Sequence, residues 1–129
     1  MIDLKSYFSP LEEEIYQKDY EWESTQFGSL VSAFNLIDFP EYKFCEIAIF
    51  SVFEYNGTEN VFSGNNCKIR KKLYHLHSDK IPRICDLGFL KLSDNRKDSF
   101  KNLENVCKEL LHNGIFPLVI GGGHDLTYA

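Results

Sequence analysis

The residues Gly121 to Ala129, GGGHDLTYA, follow directly on an apolar run, FPLVI. Three glycines beside a histidine and an aspartate permit two kinds of chemistry. In the first, the backbone at Gly121, Gly122 and Gly123 approaches a phosphate, as in dinucleotide-binding turns. That use wants GxGxxG opening a full helix, or a Walker lysine, and the sequence has neither. In the second, the glycines make a tight turn past the carboxyl end of a strand and aim His124 into a cleft, where imidazole is a common metal ligand. A polar turn that merely ends a strand is the third reading. Spacing alone leaves all three open, because one histidine is not a site.

The remaining candidates carry less. His75 and His77 are two apart on an expected helix, so they face different directions and do not readily share a metal. His112 falls in the last turn of its helix, where a partial positive charge suits the dipole. Asp86, in CDLG, stands at an expected strand end, where an aspartate is either functional or, more often, the cap of a turn. Arg70, Lys71 and Lys72 read as a solvated helix face. No serine or cysteine nucleophile has a matching base, which gives no support to triad hydrolysis. Cys45, Cys67, Cys85 and Cys107 contain no CxxC pair. They read as reduced thiols of a cytoplasmic protein, with Cys45, Cys85 and Cys107 as small core residues. Asn56 opens a formal glycosylation sequon, NGT, which without secretion is a turn.

These residues must be held by a regular frame, and from Lys43 onward one is legible. KFCEIAIFSVF (Lys43 to Phe53) is a near-continuous apolar run and reads as a buried strand. A long loop, Glu54 to Asn66, precedes the helix CKIRKKLYHLH, with Ile69, Leu73 and Leu76 at helical spacing. RICDLGFL reads as a second strand broken by Gly88. The best helix is SFKNLENVCKELLHNG, whose apolar stripe is Phe100, Leu103, Val106, Cys107, Leu110 and Leu111. Asp98 or Ser99 can cap its start, and Gly114 can end it in the left-handed conformation. FPLVI is a third strand. Strand, helix, strand, helix, strand predicts a parallel sheet with helices on its faces and right-handed crossovers.

The first forty residues are less informative. SPLEEEIYQKDY resembles a helix start, with Ser9 as cap and Pro10 in the first turn. GSLVSAFNLIDFP is ambiguous between a short helix and extended chain.

Composition sets limits on function. With 129 residues, 43% hydrophobic and 15% aromatic, the chain can bury roughly two thirds of its extended surface and is not disordered. A net charge of -5, from 19 acidic and 14 basic residues, does not attract polyphosphate, so nucleic acid is not an expected partner. The N-terminus lacks the pattern of a secretory signal, and no apolar run approaches the ~20 residues that cross a bilayer, so no membrane partner is expected either.

In order along the chain, these pieces resemble the ureohydrolase family (arginase, agmatinase, formimidoylglutamase). PLVIGGGHDLTYA resembles its first metal motif, a buried strand running into Gly-Gly-x-His. EIAIFSV looks like its first strand, GNNCKIRKKLYHL like its Gly-Pro-x-x-Ile-Arg segment and helix, and ICDLGFL like its second strand. Gly64-Asn65 departs from the family's Gly-Pro. Gly-Gly-Gly-His followed by an acid is most similar to formimidoylglutamase, whereas arginase and agmatinase usually show Gly-Gly-Asp-His-Ser.

The resemblance implies a three-layer α/β/α fold with a parallel sheet over residues 43–129, preceded by a helical or irregular segment, 1–42. It implies a pair of Mn²⁺ ions bridged by hydroxide, with His124 as one ligand and Asp125 as a subfamily marker rather than a ligand. The expected small-molecule substrate is N-formimidoyl-L-glutamate, converted to glutamate and formamide in histidine degradation, and a homo-oligomer is compatible with the resemblance. The family's Asp-x-His-x-Asp and Asp-x-Asp motifs do not occur in these 129 residues. The expectation is therefore an N-terminal piece of a larger enzyme, inactive by itself. The alternatives are a ureohydrolase-like scaffold that has lost its ligands and works as a binding protein, and, more distantly, a nucleotide-binding module.

Overall fold

The computed structural model describes residues 2–11, 22–35, 38–52, 65–78, 80 and 82–121. At its centre lie three parallel strands, β3 (Ile47–Ser51), β4 (Ile84–Leu90) and β5 (Phe116–Ile120), with β3 in the middle. Two short strands complete the sheet along the far side of β4. These are β1 (Phe8–Ser9), which runs antiparallel beside Phe89 and Leu90, and β2 (Ser32–Ala33), which runs parallel beside Cys85 and Asp86. The sheet is therefore mixed. The purely parallel sheet expected from the apolar strands holds for β3, β4 and β5, and the antiparallel addition comes from a stretch with no legible strand pattern.

The helices α1 (Phe27–Leu30), α2 (Asn65–His75) and α3 (Arg96–His112) accompany these strands. Strand alternation sorts the layers, because successive side chains point to opposite faces. Ala48, Phe50 and Val52 of β3 and its extension pack with Leu103, Val106 and Leu110 of α3 in the main core. Ile49 and Ser51 take the other face, where Arg70 of α2 reaches Ser51. α2 and α3 thus cover opposite faces, the three-layer α/β/α arrangement. Residues from the N-terminal stretch enter both layers: Leu4, Phe8 and Phe34 join the main core, and Leu11 packs with Tyr74 on the α2 side.

α3 begins one turn earlier than its capping signals suggested. Asn95, not Asp98 or Ser99, is the cap, its side-chain oxygen accepting from the Lys97 N–H at 2.9 Å. Ser99 is buried and bonds back to the Ser93 backbone instead. Of the expected stripe, Leu103, Val106 and Leu110 are buried, whereas Leu111 is 60% exposed. Leu111 lies one residue, about a 100° turn, past Leu110 and so beyond the edge of the contact. Gly114 ends the helix with φ 73, as expected.

The ambiguous stretch GSLVSAFNLIDFP contains both alternatives, one turn of helix in α1 and then β2. Ser9 lies in β1 and Leu11 donates its N–H to the Phe34 carbonyl, so the expected helix does not open at Pro10. The rest of that helix, the loop with Asn56, and Cys67's surroundings lie outside what is described.

Gly88 does not break β4. Ile49 pairs with Asp86, but Ser51 pairs with Phe89, so two residues of β4, Leu87 and Gly88, oppose one of β3, Phe50, across a bulge. Gly88 carries it with φ 87, a conformation that glycine adopts at little cost. A Cβ there would also collide with the Ser9 carbonyl oxygen of β1.

Candidate functional site

The carboxyl ends of β3, β4 and β5 form the edge at which parallel sheets place ligands. The best-defined polar group near that edge is built around Asp86. This carboxylate sits mid-strand in β4, fully buried, and cannot remain ionised there without partners. Arg70 supplies the charge through a two-pronged contact, Nε to Oδ2 at 2.7 Å and Nη2 to Oδ1 at 2.9 Å. Tyr74, one helical turn further along α2, donates its hydroxyl to Oδ2 at 2.6 Å, and the Gly88 N–H donates to Oδ1 at 3.1 Å. All the acceptor capacity of Asp86 is occupied.

Arg70 ties more than one strand. Its Nη1 donates to Ser51 Oγ of β3 at 2.6 Å, and its Nη2 to the Gly88 carbonyl of β4 at 3.0 Å. The bulge makes this geometry possible. By inserting a residue it shifts the alternation, so that Phe89 joins Asp86 on the α2 face and its ring lies 4.9 Å beneath the guanidinium.

This corrects the sequence reading of α2. Arg70 is not part of a solvated face with its lysine neighbours but is fully buried, and Ile69 and Leu76 are 46% and 55% exposed. The helix is rotated so that Arg70 and Tyr74, four apart, face the sheet. The leucine spacing suggested another face, but a buried carboxylate outweighs it, since leaving Asp86 unpaired costs more than exposing two aliphatic side chains. The available signal was an acid inside an otherwise apolar strand, ICDLGFL, which requires a cation from a neighbouring element. Asp86 does not cap a turn at a strand end.

The histidines fall as follows. His77 is exposed, its Nδ1 2.8 Å from Thr25 Oγ1 and its Nε2 3.8 Å from Glu23. His75 and His112 are exposed in the last turns of α2 and α3. These positions agree with structural or solvated roles. Cys85 is buried, Cys45 and Cys107 are half-buried, and all three are free thiols. Burial pushes each of their pKa values up, and Cys45 beside Cys85 adds to the rise there. Such thiols are poor nucleophiles.

β5 delivers the chain to this edge. Ser51 pairs with Ile120, the Val52 N–H donates to the Ile120 carbonyl at 3.0 Å, and the chain leaves the sheet at Gly121 with φ 83. Gly121 is the first residue of the tight turn expected of the glycines, and Gly122 and Gly123 lie outside the described residues. His124 and Asp125 lie outside the described residues. Among the described residues there is no group of three or more histidine, cysteine, aspartate or glutamate side chains that could hold a metal, and Asp86 is committed to Arg70. Also among them, no helix is long and apolar enough to cross a membrane.

Helices on both faces of a sheet with three parallel central strands place the chain in the α/β class with a three-layer α/β/α arrangement. The sequence model of the arginase family matches residues 62–129, just over half of the chain, a span that holds α2, β4, α3 and β5. The chain belongs to the arginase family, the metal-dependent ureohydrolases. No curated protein matches it.

Proposed function

We propose that the protein is a Mn²⁺-dependent hydrolase of the C–N bond of a formimino group, converting N-formimidoyl-L-glutamate to L-glutamate and formamide. Family membership supports hydrolysis of an amidine-like carbon, and the run Gly121 to Asp125 carries the choice of substrate. Arginase and agmatinase usually show Gly-Gly-Asp-His-Ser there, whereas this chain reads Gly-Gly-Gly-His-Asp.

In this reading His124 holds one of two metal ions, and further carboxylates and histidines of the whole protein complete the pair. When bound, the two cations supply a water of lowered pKa and with it a nucleophile at neutral pH. The described residues contribute a fixed frame. Arg70, Asp86, Ser51 and Tyr74 form a buried, hydrogen-bonded layer between α2 and the sheet, and β5 brings the chain to Gly121.

Three substrates separate the readings. Incubated with Mn²⁺, the whole protein is expected to release formamide from N-formimidoyl-L-glutamate and little urea from arginine or agmatine. Urea from either of the latter would keep the hydrolase and overturn the substrate. No product from any of the three would favour the non-catalytic scaffold.

A further inference from the structure

We propose that the hollow between the N-terminal turn and the end of β4 binds a small organic carboxylate with an apolar body. Leu4 and Phe8, four apart, turn inward to the main core. Lys5 is left exposed on the turn Leu4–Tyr7, and β1 then runs antiparallel beside Phe89 and Leu90. Lys91, the next residue, reaches the same place from β4. With these two lysines, Asp3, Phe8, Ser9 and Phe34 line a cavity of about 440 Å³, a size that suits a small molecule. Its walls are pinned by the backbone. The Lys91 N–H donates to the Tyr7 carbonyl at 2.8 Å, the Phe34 N–H to the Asp86 carbonyl at 2.8 Å, and the Leu11 N–H to the Phe34 carbonyl at 2.9 Å. A ligand meets a site already formed, with little chain left to order on binding.

The lining sets the chemistry. Among the described residues neither the Lys5 nor the Lys91 ammonium has an ion-pair partner, although acidic residues outnumber basic ones 19 to 14 in the chain. Two unpaired cations at one mouth favour an anion. Ser9 adds a hydroxyl, and Phe8 and Phe34, buried in the core, supply an apolar floor. Asp3 limits the charge that the ligand can carry. Its side chain makes no capping bond to the turn it precedes. Two lysines against one aspartate leave the lining with a single net positive charge, which suits a monoanion and disfavours a dianion such as phosphate. Every residue of this lining is described, so the cavity stands apart from the metal reading of His124.

The test titrates the whole protein with 3-phenylpropionate, followed by calorimetry and by amide exchange. Saturable binding is expected, and it should slow exchange of the Lys91 N–H, since the ligand bridges the N-terminal turn and the end of β4. Lys5→Met and Lys91→Met should each weaken binding by about twofold to fivefold, and together by about tenfold, as exposed ion pairs allow. Lys72→Met makes the same charge change on the exposed side of α2 and should leave affinity unchanged. The neutral 3-phenylpropionamide and inorganic phosphate should both bind more weakly than the acid, the first for want of charge and the second for want of an apolar body. No saturable binding, or binding that the two lysine changes leave intact, overturns the proposal. An amide that binds as well as the acid removes the role of the lysines, and phosphate that binds as well removes that of the apolar floor; either result overturns the carboxylate assignment.

Discussion

At the scale of single residues, Asp86 governs its surroundings. A carboxylate at 0% exposure is stable only because Arg70, Tyr74 and the Gly88 N–H saturate it. Arg70→Met strands that charge and is expected to cost about 3–5 kcal/mol in urea denaturation. Adding Asp86→Leu to Arg70→Met should recover most of the loss, because the double variant buries no charge. A single variant with near wild-type stability would contradict the described burial. Cys85 gives a pH prediction. Burial, then its neighbour Cys45, raises the thiol pKa, so the folded chain holds that proton more tightly than the unfolded chain, whose thiol titrates near about 8.5. The stabilisation is present below that pH and is lost as pH rises beyond it. Chemical denaturation should show falling stability above about pH 9 that Cys85→Ala reduces. In the native protein at pH 8, Cys85 should resist alkylation.

At the scale of elements, β4 is the organising strand, bordered by β1 and β2 on one side and by β3 on the other. Its bulge depends on Gly88. Gly88→Ala meets left-handed strain of about 1–3 kcal/mol, and in addition a collision with Ser9. The expected result is that β1 peels away, so that the Lys91 N–H, bonded to the Tyr7 carbonyl at 2.8 Å, exchanges faster than the amides between β3 and β5. Uniform protection throughout the sheet would contradict this. The three central strands and α3 were legible because their apolar runs and stripe are long and local. β1 and β2 were not, since two-residue strands have no periodicity and form only where β4 offers an edge. The face of α2 was misread because hydropathy counts Leu76 as core and Arg70 as surface. Burial of Arg70 is decided by Asp86, sixteen residues away in sequence.

At the scale of the whole molecule, β5 is the end strand of the described sheet, with Phe116 62% and Leu118 43% exposed. Parallel strands are ordinarily covered on both faces, and an open apolar edge invites pairing with another chain. The 129-residue chain is expected to associate as its concentration rises, and Leu118→Lys should suppress this in sedimentation velocity. A monodisperse monomer that melts cooperatively at high concentration would contradict it. The same edge carries the functional claim, because β5 leads through Gly121 to His124. The sequence motif pointed to that residue from the start, whereas the frame beneath it required the fold. The most direct measurement is formamide release from N-formimidoyl-L-glutamate by the whole protein, after chelation and again after Mn²⁺ is restored, in wild type and His124→Ala. The expected result is activity lost on chelation, regained with Mn²⁺ in the wild type, and largely absent in His124→Ala at both stages. Activity that survives chelation, or a His124→Ala protein as active as wild type, would contradict the assignment.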